Sequence, residues 1–349
     1  MKSSEPSLVP ILSCGEGGAT GGGEGASFAI QQPGSLQQSL RLRAHLYQLI
    51  RQFFAERQVL EVETPILSAA GNTDPNIASF RTAFSGHVDA GARERWLRTS
   101  PEFPLKRLLA AGVGDCYELG RVFRNGEAGS RHNPEFSMLE WYRVGWDHRA
   151  LMAEAIALAE AALAMVERRA EVVIVSYRQL FLDELGIDPI TAPEQALIAP
   201  LVTWGIDPAG LNRDDWLDLL ITHRLQPAFP CSRITVIHDY PASQCALAKV
   251  RPGEPPLAER FELYLGCHEL ANGYHELNDA AEQRRRFERD NRIRRTRGLR
   301  EVPLDENLLA VLGAMPDCAG VALGIERLLM CLAGTDAIAE VLTFPFSEA

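Results

Sequence analysis

The segments of this chain that read as strands are separated unevenly by helices, and that irregularity excludes most nucleotide-binding architectures at the outset. Arg95–Thr99, Cys116–Phe123, Phe136–Val144, Ile234–Asp239, Arg260–Gly266 and Val321–Leu323 are short runs of strand-forming residues. Between them, Leu105–Ala111 is helix-like, Leu151–Arg169 reads as a long helix, Gln283–Arg297 as a charged one, and Asn307–Leu312 and Ile325–Ala333 as short ones. A regular alternation of strand and helix would demand a parallel sheet; this order predicts an α+β fold, an antiparallel sheet flanked by helices. Neither GxGxxG nor GxxxxGK[ST] occurs, so a Rossmann or P-loop phosphate cradle is not expected.

Ahead of these, Leu42, Leu46, Leu49, Ile50 and Phe53 recur at three- and four-residue spacing, an amphipathic helix ending near Gln58. Val59–Leu67 then alternates as a strand closed by Pro65. Residues 1–34 are Gly-rich and nearly free of large apolar side chains, which cannot offset the entropy of ordering them, so this lead is expected to be disordered. One catalytic-sized domain is expected over 35–349, with a helical insertion at about 180–230.

At 349 residues and 46% hydrophobic, the chain can bury a substantial core. The most apolar stretch, Leu151–Met165, is interrupted by Glu154 and Glu160 and reads as a packed helix, so no membrane contact is expected. Seven cysteines without a CxxC pair argue against a disulfide framework or a zinc site, and a cytoplasmic location fits. The net charge of −11 disfavours a tRNA or duplex binder, which holds its ligand on a basic face. The basic run from Arg284 to Arg300 is interleaved with acids and reads as a solvated helix face.

Three blocks carry chemistry. Arg121–Asn125 leads through a polar loop into Arg131–Tyr142: strand, loop, strand, with cationic groups near the tip and Glu140 and Tyr142 on one face of the return strand. An arginine fork suits a phosphate or carboxylate, although a charged surface hairpin has the same pattern. The second block, from Phe261 through His268-Glu269-Leu270-Ala271-Asn272-Gly273-Tyr274-His275-Glu276 to Asp279, spaces Glu262, Glu269 and Glu276 by seven. Such acids can hold Mg²⁺ against a triphosphate, pair with a ligand ammonium, or form ion pairs at a sheet edge. In the third block, Gly320, Ala322 and Gly324 leave one face of a strand bare ahead of Arg327, so a flat ring or ligand backbone can approach closely.

Together the blocks resemble motifs 1, 2 and 3 of the class II aminoacyl-tRNA synthetases, lysine branch, from about residue 36 onward. Motif 1 is the helix ending in E-V-E-T-P at Pro65, motif 2 is F-R-N…R-H-N-P-E-F-S-M-L-E-W-Y, and motif 3 is G-V-A-L-G-I-E-R; E-L-A-N-G-Y-H-E-L-N-D beside T-S-P-E-F is the specific signature. The resemblance implies the class II catalytic core, a homodimer through motif 1, and ATP with Mg²⁺. It implies that Arg124 holds the α-phosphate and the substrate carboxylate and that Arg327 clamps the γ-phosphate. Asn125, Gly126, Glu127, His132, Asn133, Phe136, Leu270 and Gly324 would complete the nucleotide site, with Phe136 stacked on adenine, and Glu262 and Glu269 would be the Mg²⁺ ligands. Ser100, Pro101 and Glu102 would meet the substrate amino group, and Glu140, Tyr142 and Glu276, with Asn272 and Tyr274 beside them, the distant ammonium of a lysine-like side chain.

The lead before motif 1 is too short for the anticodon-binding OB barrel of a lysyl-tRNA synthetase, so no anticodon contact is expected. Among relatives lacking that domain, the chain looks most like the paralogues that attach β-lysine to a lysine of elongation factor P, by T-S-P-E-F-P-L-K-R-L-L-A-A-G, H-N-P-E-F-S-M-L-E-W-Y-R and M-P-D-C-A-G-V-A-L-G. The implied substrate is β-lysine or lysine and the implied acceptor is elongation factor P. An enzyme with another acceptor (tRNA or a free amine) and a non-catalytic amino-acid sensor are the alternatives; retained Arg124, Arg327, Glu262 and Glu269 argue against the sensor. Two departures stand out. Ala322 replaces the usual glycine and narrows the amino-acid pocket by a methyl, which would help select a β-amino isomer. Gly126 stands where the family has glutamate; either the loop shifts so that the adjacent Glu127 serves, or nucleotide contacts there are weaker.

Overall fold

A computed structural model describes residues 36–349; the Gly-rich lead over 1–34, expected to be disordered, lies outside the described residues. In chain order the strands are β1 (Leu60–Glu61), β2 (Leu67–Ser68), β3 (Arg81–Ala83), β4 (Glu94–Leu97), β5 (Cys116–Phe123), β6 (Glu135–Val144), β7 (Glu171–Ser176), β8 (Arg233–Pro241), β9 (Val250–Arg251), β10 (Leu257–Leu265), β11 (His268–His275) and β12 (Cys318–Gly324). The helices used below are α1 (Leu36–Glu56), α2 (Glu102–Ala110), α3 (His148–Ala164), α4 (Tyr177–Leu185), α5 (Glu194–Ile198), α6 (Arg213–Leu220), α7 (Ala280–Thr296), α8 (Glu306–Val311) and α9 (Ile325–Ala333).

Nine strands form the main sheet in the order β1-β5-β6-β12-β11-β10-β8-β7, with β9 on β10; only the edge pairs β1/β5 and β7/β8 are parallel. The expected α+β class, an antiparallel sheet flanked by helices, is what the chain adopts. The apolar stripe of α1 (Leu42, Leu46, Ile50, Phe53, Phe54) packs with α3 and α9 against one face of the sheet in the largest core. The opposite face, between α2, α7 and the sheet, is left open as a cleft. Between β7 and β8 the chain runs through α4, α5, α6 and short turns, packed in a core of their own around Phe181, Trp216 and Leu220.

Two readings of the sequence change. Val59–Leu67 is not one strand. Leu60 and Val62 donate to Asp115 and Tyr117 of the main sheet, whereas Ile66 accepts from Arg98 in the small sheet β2-β4-β3, and Pro65, which has no N–H to give either ladder, sits at the crossover. His268–His275, read only as a motif, is the strand β11 between β10 and β12. Its Asn, Gly and His residues dilute any apolar alternation because one of its faces lines the cleft.

Candidate active site

Cross-strand register lays the site out in two rows. In one, Glu118 of β5 faces Glu140 of β6, Glu140 faces Ala322 of β12, Ala322 faces Asn272 of β11, and Asn272 faces Glu262 of β10. In the next, Tyr142 faces Gly320, Gly320 faces Tyr274, and Tyr274 faces Arg260. Registered partners in antiparallel strands share a face, and from Glu140 to Glu262 and from Tyr142 to Arg260 the two rows look into the same cleft of about 750 Å³, while Glu118 is taken up by Arg98 outside it. Glu269 joins them through a bulge. Leu263 pairs with Ala271 but Tyr264 with Glu269, so Leu270 is the extra residue that turns Glu269 onto the face of Glu262.

At one end the cleft is an acidic pocket. Tyr142 donates to Glu140 Oε1 at 2.7 Å and Ser100 Oγ to Oε2 at 2.7 Å. Lys106 Nζ lies 2.6 Å from Glu102 Oε1 and 2.6 Å from Glu276 Oε2. Burial, with Glu102 close by, pushes the Glu140 carboxyl up to about 7 against the pull of its Ser100 and Tyr142 hydrogen bonds. Burial likewise carries Glu276 up to about 8, although Lys106 draws it down. Both carboxyls therefore hold protons more tightly folded than unfolded. The stability they lend is complete below the ordinary carboxyl range, near 4.5, and is lost as pH rises through 7 to 8. A ligand with two ammonium groups restores it by pairing with the ionised acids. Lysine isomers should accordingly raise the melting temperature more at pH 8 than at pH 6 in a thermal-shift titration, and equal shifts at both would contradict the assignment.

At the other end are the cations. The Arg327 guanidinium donates to the Glu269 backbone carbonyl at 3.0 Å and reaches His132 Nε2 at 2.9 Å, and burial beside Arg327 lowers the His132 pKa so that the ring is a neutral acceptor. Arg124 lies 3.8 Å from Glu127, and its guanidinium sits 5.2 Å over the Phe136 ring, leaving its buried Nε without a hydrogen bond. Glu262 accepts from Tyr264 and Arg260 at 2.5 Å each and from Asn272 at 3.1 Å. Burial first, then the neighbouring Glu262, raises the Glu269 pKa. Two carboxylates that repel each other on the wall of one cleft have the donor chemistry a hard divalent cation takes.

Seventeen of the twenty site residues expected from the sequence line this one cleft, Arg124 and Arg327 included; Pro101, Asn125 and Gly126 do not. Pro101 caps the N-terminus of α2, and Asn125 ties its backbone to Ala78. Gly126 takes a left-handed φ of +86°, open to glycine at no cost, and the turn it makes delivers Glu127 into the cleft. The loop at the tip of the β5–β6 hairpin is fastened from afar: Ile338 N donates to Ser130 O at 2.7 Å, Arg131 pairs with Asp336 at 3.0 Å, and Phe346 N donates to Asn133 Oδ1 at 2.9 Å. Sequence reasoning passed over Lys106, though it stands four residues after Glu102 on α2, and Arg260, two before Glu262. The i,i+4 spacing was a signal for the first; nothing local marks the second. It also did not foresee that Asp214, Asp215 and Asp218 of α6 would reach the cleft wall.

The family of class II tRNA synthetases (D, K and N) matches residues 29–348. The chain is similar to the elongation factor P–(R)-β-lysine ligase of Vibrio cholerae serotype O1, 47% identical over 89% of this chain and 96% of that protein. It is similar also to the proteins of that name from Proteus mirabilis, 45% identical over 93% and 100%, and Salmonella gallinarum, 44% identical over 92% and 99%.

Proposed function

This chain belongs to the class II tRNA synthetases, and from that membership we propose that it is an ATP-dependent ligase that activates (R)-β-lysine, or lysine, and transfers it to the amino group of a lysine of elongation factor P. One observation carries the reading: the acidic pocket of Glu140, Tyr142 and Glu276 opens into the same cleft as Arg124 and Arg327. In the first step a carboxylate oxygen of the amino acid attacks the α-phosphorus of ATP, the bond to the bridging oxygen breaks, and pyrophosphate leaves. In the second, the acceptor amine attacks the acyl carbon, an amide forms, AMP leaves, and the amine loses a proton to solvent.

The protein's part is positioning and charge. Arg124 holds the carboxylate and the α-phosphate, and Arg327 the γ-phosphate, with His132, Asn133 and Glu127 around the nucleotide and the half-buried Phe136 ring as a stacking surface for the base. Glu262 and Glu269 would hold Mg²⁺, which neutralises triphosphate charge when bound. Glu102 and Ser100 take the amino group near the carboxylate; Glu140, Tyr142 and Glu276 take the far ammonium, with Asn272 and Tyr274 as walls. Ala322 lies between Glu140 and Asn272 in its row, so its methyl forms the floor under the amino acid. Ala322→Gly is expected to lower the preference for β-lysine over α-lysine several-fold in pyrophosphate exchange, and an unchanged ratio would remove the methyl from the account.

The acceptor is tested by incubating the enzyme with ATP, Mg²⁺ and β-lysine together with elongation factor P, then weighing the product: one added lysyl group is expected, and addition to tRNA alone would redirect the reading. The motif 1 segment exposes Leu60, Ile66 and Leu67, apolar side chains that a second copy of the chain would cover; a homodimer is part of the proposal. No helix among the described residues is long and apolar enough to cross a membrane. A cytoplasmic site of action follows from an acceptor that belongs to translation.

A further inference from the structure

The geometry points to Lys106 as a resident counter-ion of the amino-acid pocket, one that fixes the separation of Glu102 and Glu276 and sets the pocket's charge to be completed by two ligand ammonium groups. This deepens the reading above and rests on it. Lys106 is only 1% exposed, a burial an ammonium tolerates only when its charge is answered on the spot. The answer is bidentate: Nζ is 2.6 Å from an oxygen of Glu102, one turn back on α2, and 2.6 Å from an oxygen of Glu276, at the far end of β11. Glu140 is the third acid of the pocket and contacts Ser100 and Tyr142 instead.

Three carboxylates thus face one ammonium, and two negative charges stay unmatched when all are ionised. The other charged side chains nearby are turned elsewhere: Arg260 binds Glu262 and the Gln244 carbonyl, and Arg286 binds the carbonyls of Ala246 and Ala248. Tyr142, Tyr274 and Cys318 are neutral. A diamino acid whose carboxylate lies on Arg124 brings the two missing positive charges, whereas a monoamino acid leaves one acid buried and unpaired. Because Lys106 bridges Glu102 and Glu276, it also uses one oxygen of each and holds their free oxygens at a set spacing. That spacing is the ruler against which the distance between the ligand's two amines is read, and the distance differs between α- and β-amino isomers.

The test uses the full-length enzyme. In Lys106→Met, the KM for β-lysine in pyrophosphate exchange should rise about ten- to a hundredfold, while the KM for ATP and the rate at saturating amino acid stay within about threefold. The ratio of kcat/KM for the two lysine isomers should fall toward unity. Calorimetry of β-lysine binding in buffers of different ionisation enthalpy should count more protons released than in the wild type, since acids stripped of their cation keep their protons until the ligand arrives. Lys106→Met alone leaves acids unpaired in the interior and can fail to fold. Lys106→Met/Glu276→Gln removes opposite charges together; there the proton count should drop below the wild type and isomer discrimination should be lost. A folded variant, single or double, with wild-type isomer ratio and proton count overturns the proposal and leaves Lys106 a packing residue. Wild-type enzyme that exchanges pyrophosphate with no lysine isomer would instead overturn the activation reading itself, so the two failures are separable.

Discussion

Arg124→Ala should cost about a thousandfold or more in ATP–pyrophosphate exchange, roughly 4 kcal/mol of transition-state stabilisation, with Arg327→Ala slightly milder. The difference reflects where charge accumulates. In the proposed reaction Arg124 faces the carboxylate and the α-phosphorus, between which the new bond forms, so its loss should fall on the rate at saturation. Arg327 is proposed to grip the far end of the triphosphate, so its loss should fall more on the KM for ATP. Neither variant should unfold the protein. The Arg124 side chain makes one loose ion pair, to Glu127 at 3.8 Å, and its Nε has no hydrogen bond; Arg327 gives up contacts to Glu269 and His132 at the cleft wall. Melting temperatures near wild type alongside collapsed exchange are the expected pair of results. Exchange surviving Arg124→Ala within tenfold would take the α-phosphate away from this residue. Arg124→Lys, which keeps the charge but loses the planar fork, should recover only part of the rate.

Gly320→Ala is the second large effect. A methyl built on Gly320 would stand 2.3 Å from Tyr142 Cε1 and 2.5 Å from Glu276 Oε1, well inside contact distance. The tyrosine cannot yield easily, because its hydroxyl is bonded to Glu140 and its ring is buried in the middle of the sheet. The site must therefore give up the position of the ring or of the acid, the two groups proposed to hold the far ammonium. The KM for β-lysine should rise by about a hundredfold or more, while the KM for ATP stays nearly constant, because the crowding is confined to the acidic end. Overpacking should also destabilise the fold by about 1–3 kcal/mol, seen as a lower melting temperature. A folded variant with unchanged β-lysine KM would show that the ammonium lies elsewhere.

Much of this was legible along the chain because the motifs are local: hairpin β5–β6 carries Arg124 to Tyr142 within one stretch, and its strands run within a residue of where alternation puts them. What was illegible was non-local or broke its own period. Simple alternation along β11 would turn Glu269 away from Glu276, and only the bulge at Leu270, a product of pairing with β10, brings it back. Val59–Leu67 alternates as one strand, yet two sheets claim its ends. Nothing local to α2 shows that Lys106 is buried; that follows from Glu276, just past β11, closing on its ammonium. The approach of Ile338 and Phe346 to the hairpin tip could not have been anticipated from either segment's own residues.

That last contact has a thermodynamic meaning. A loop that must enfold a triphosphate ordinarily loses its conformational freedom when the nucleotide arrives, and the loss is subtracted from affinity. Here three tethers from residues 336–346 restrain the loop beforehand, so the entropy is surrendered during folding and the proposed nucleotide would meet a preorganised grip. Under the proposed function, tightness toward ATP would in this sense be stored in a segment some two hundred residues beyond the hairpin it restrains.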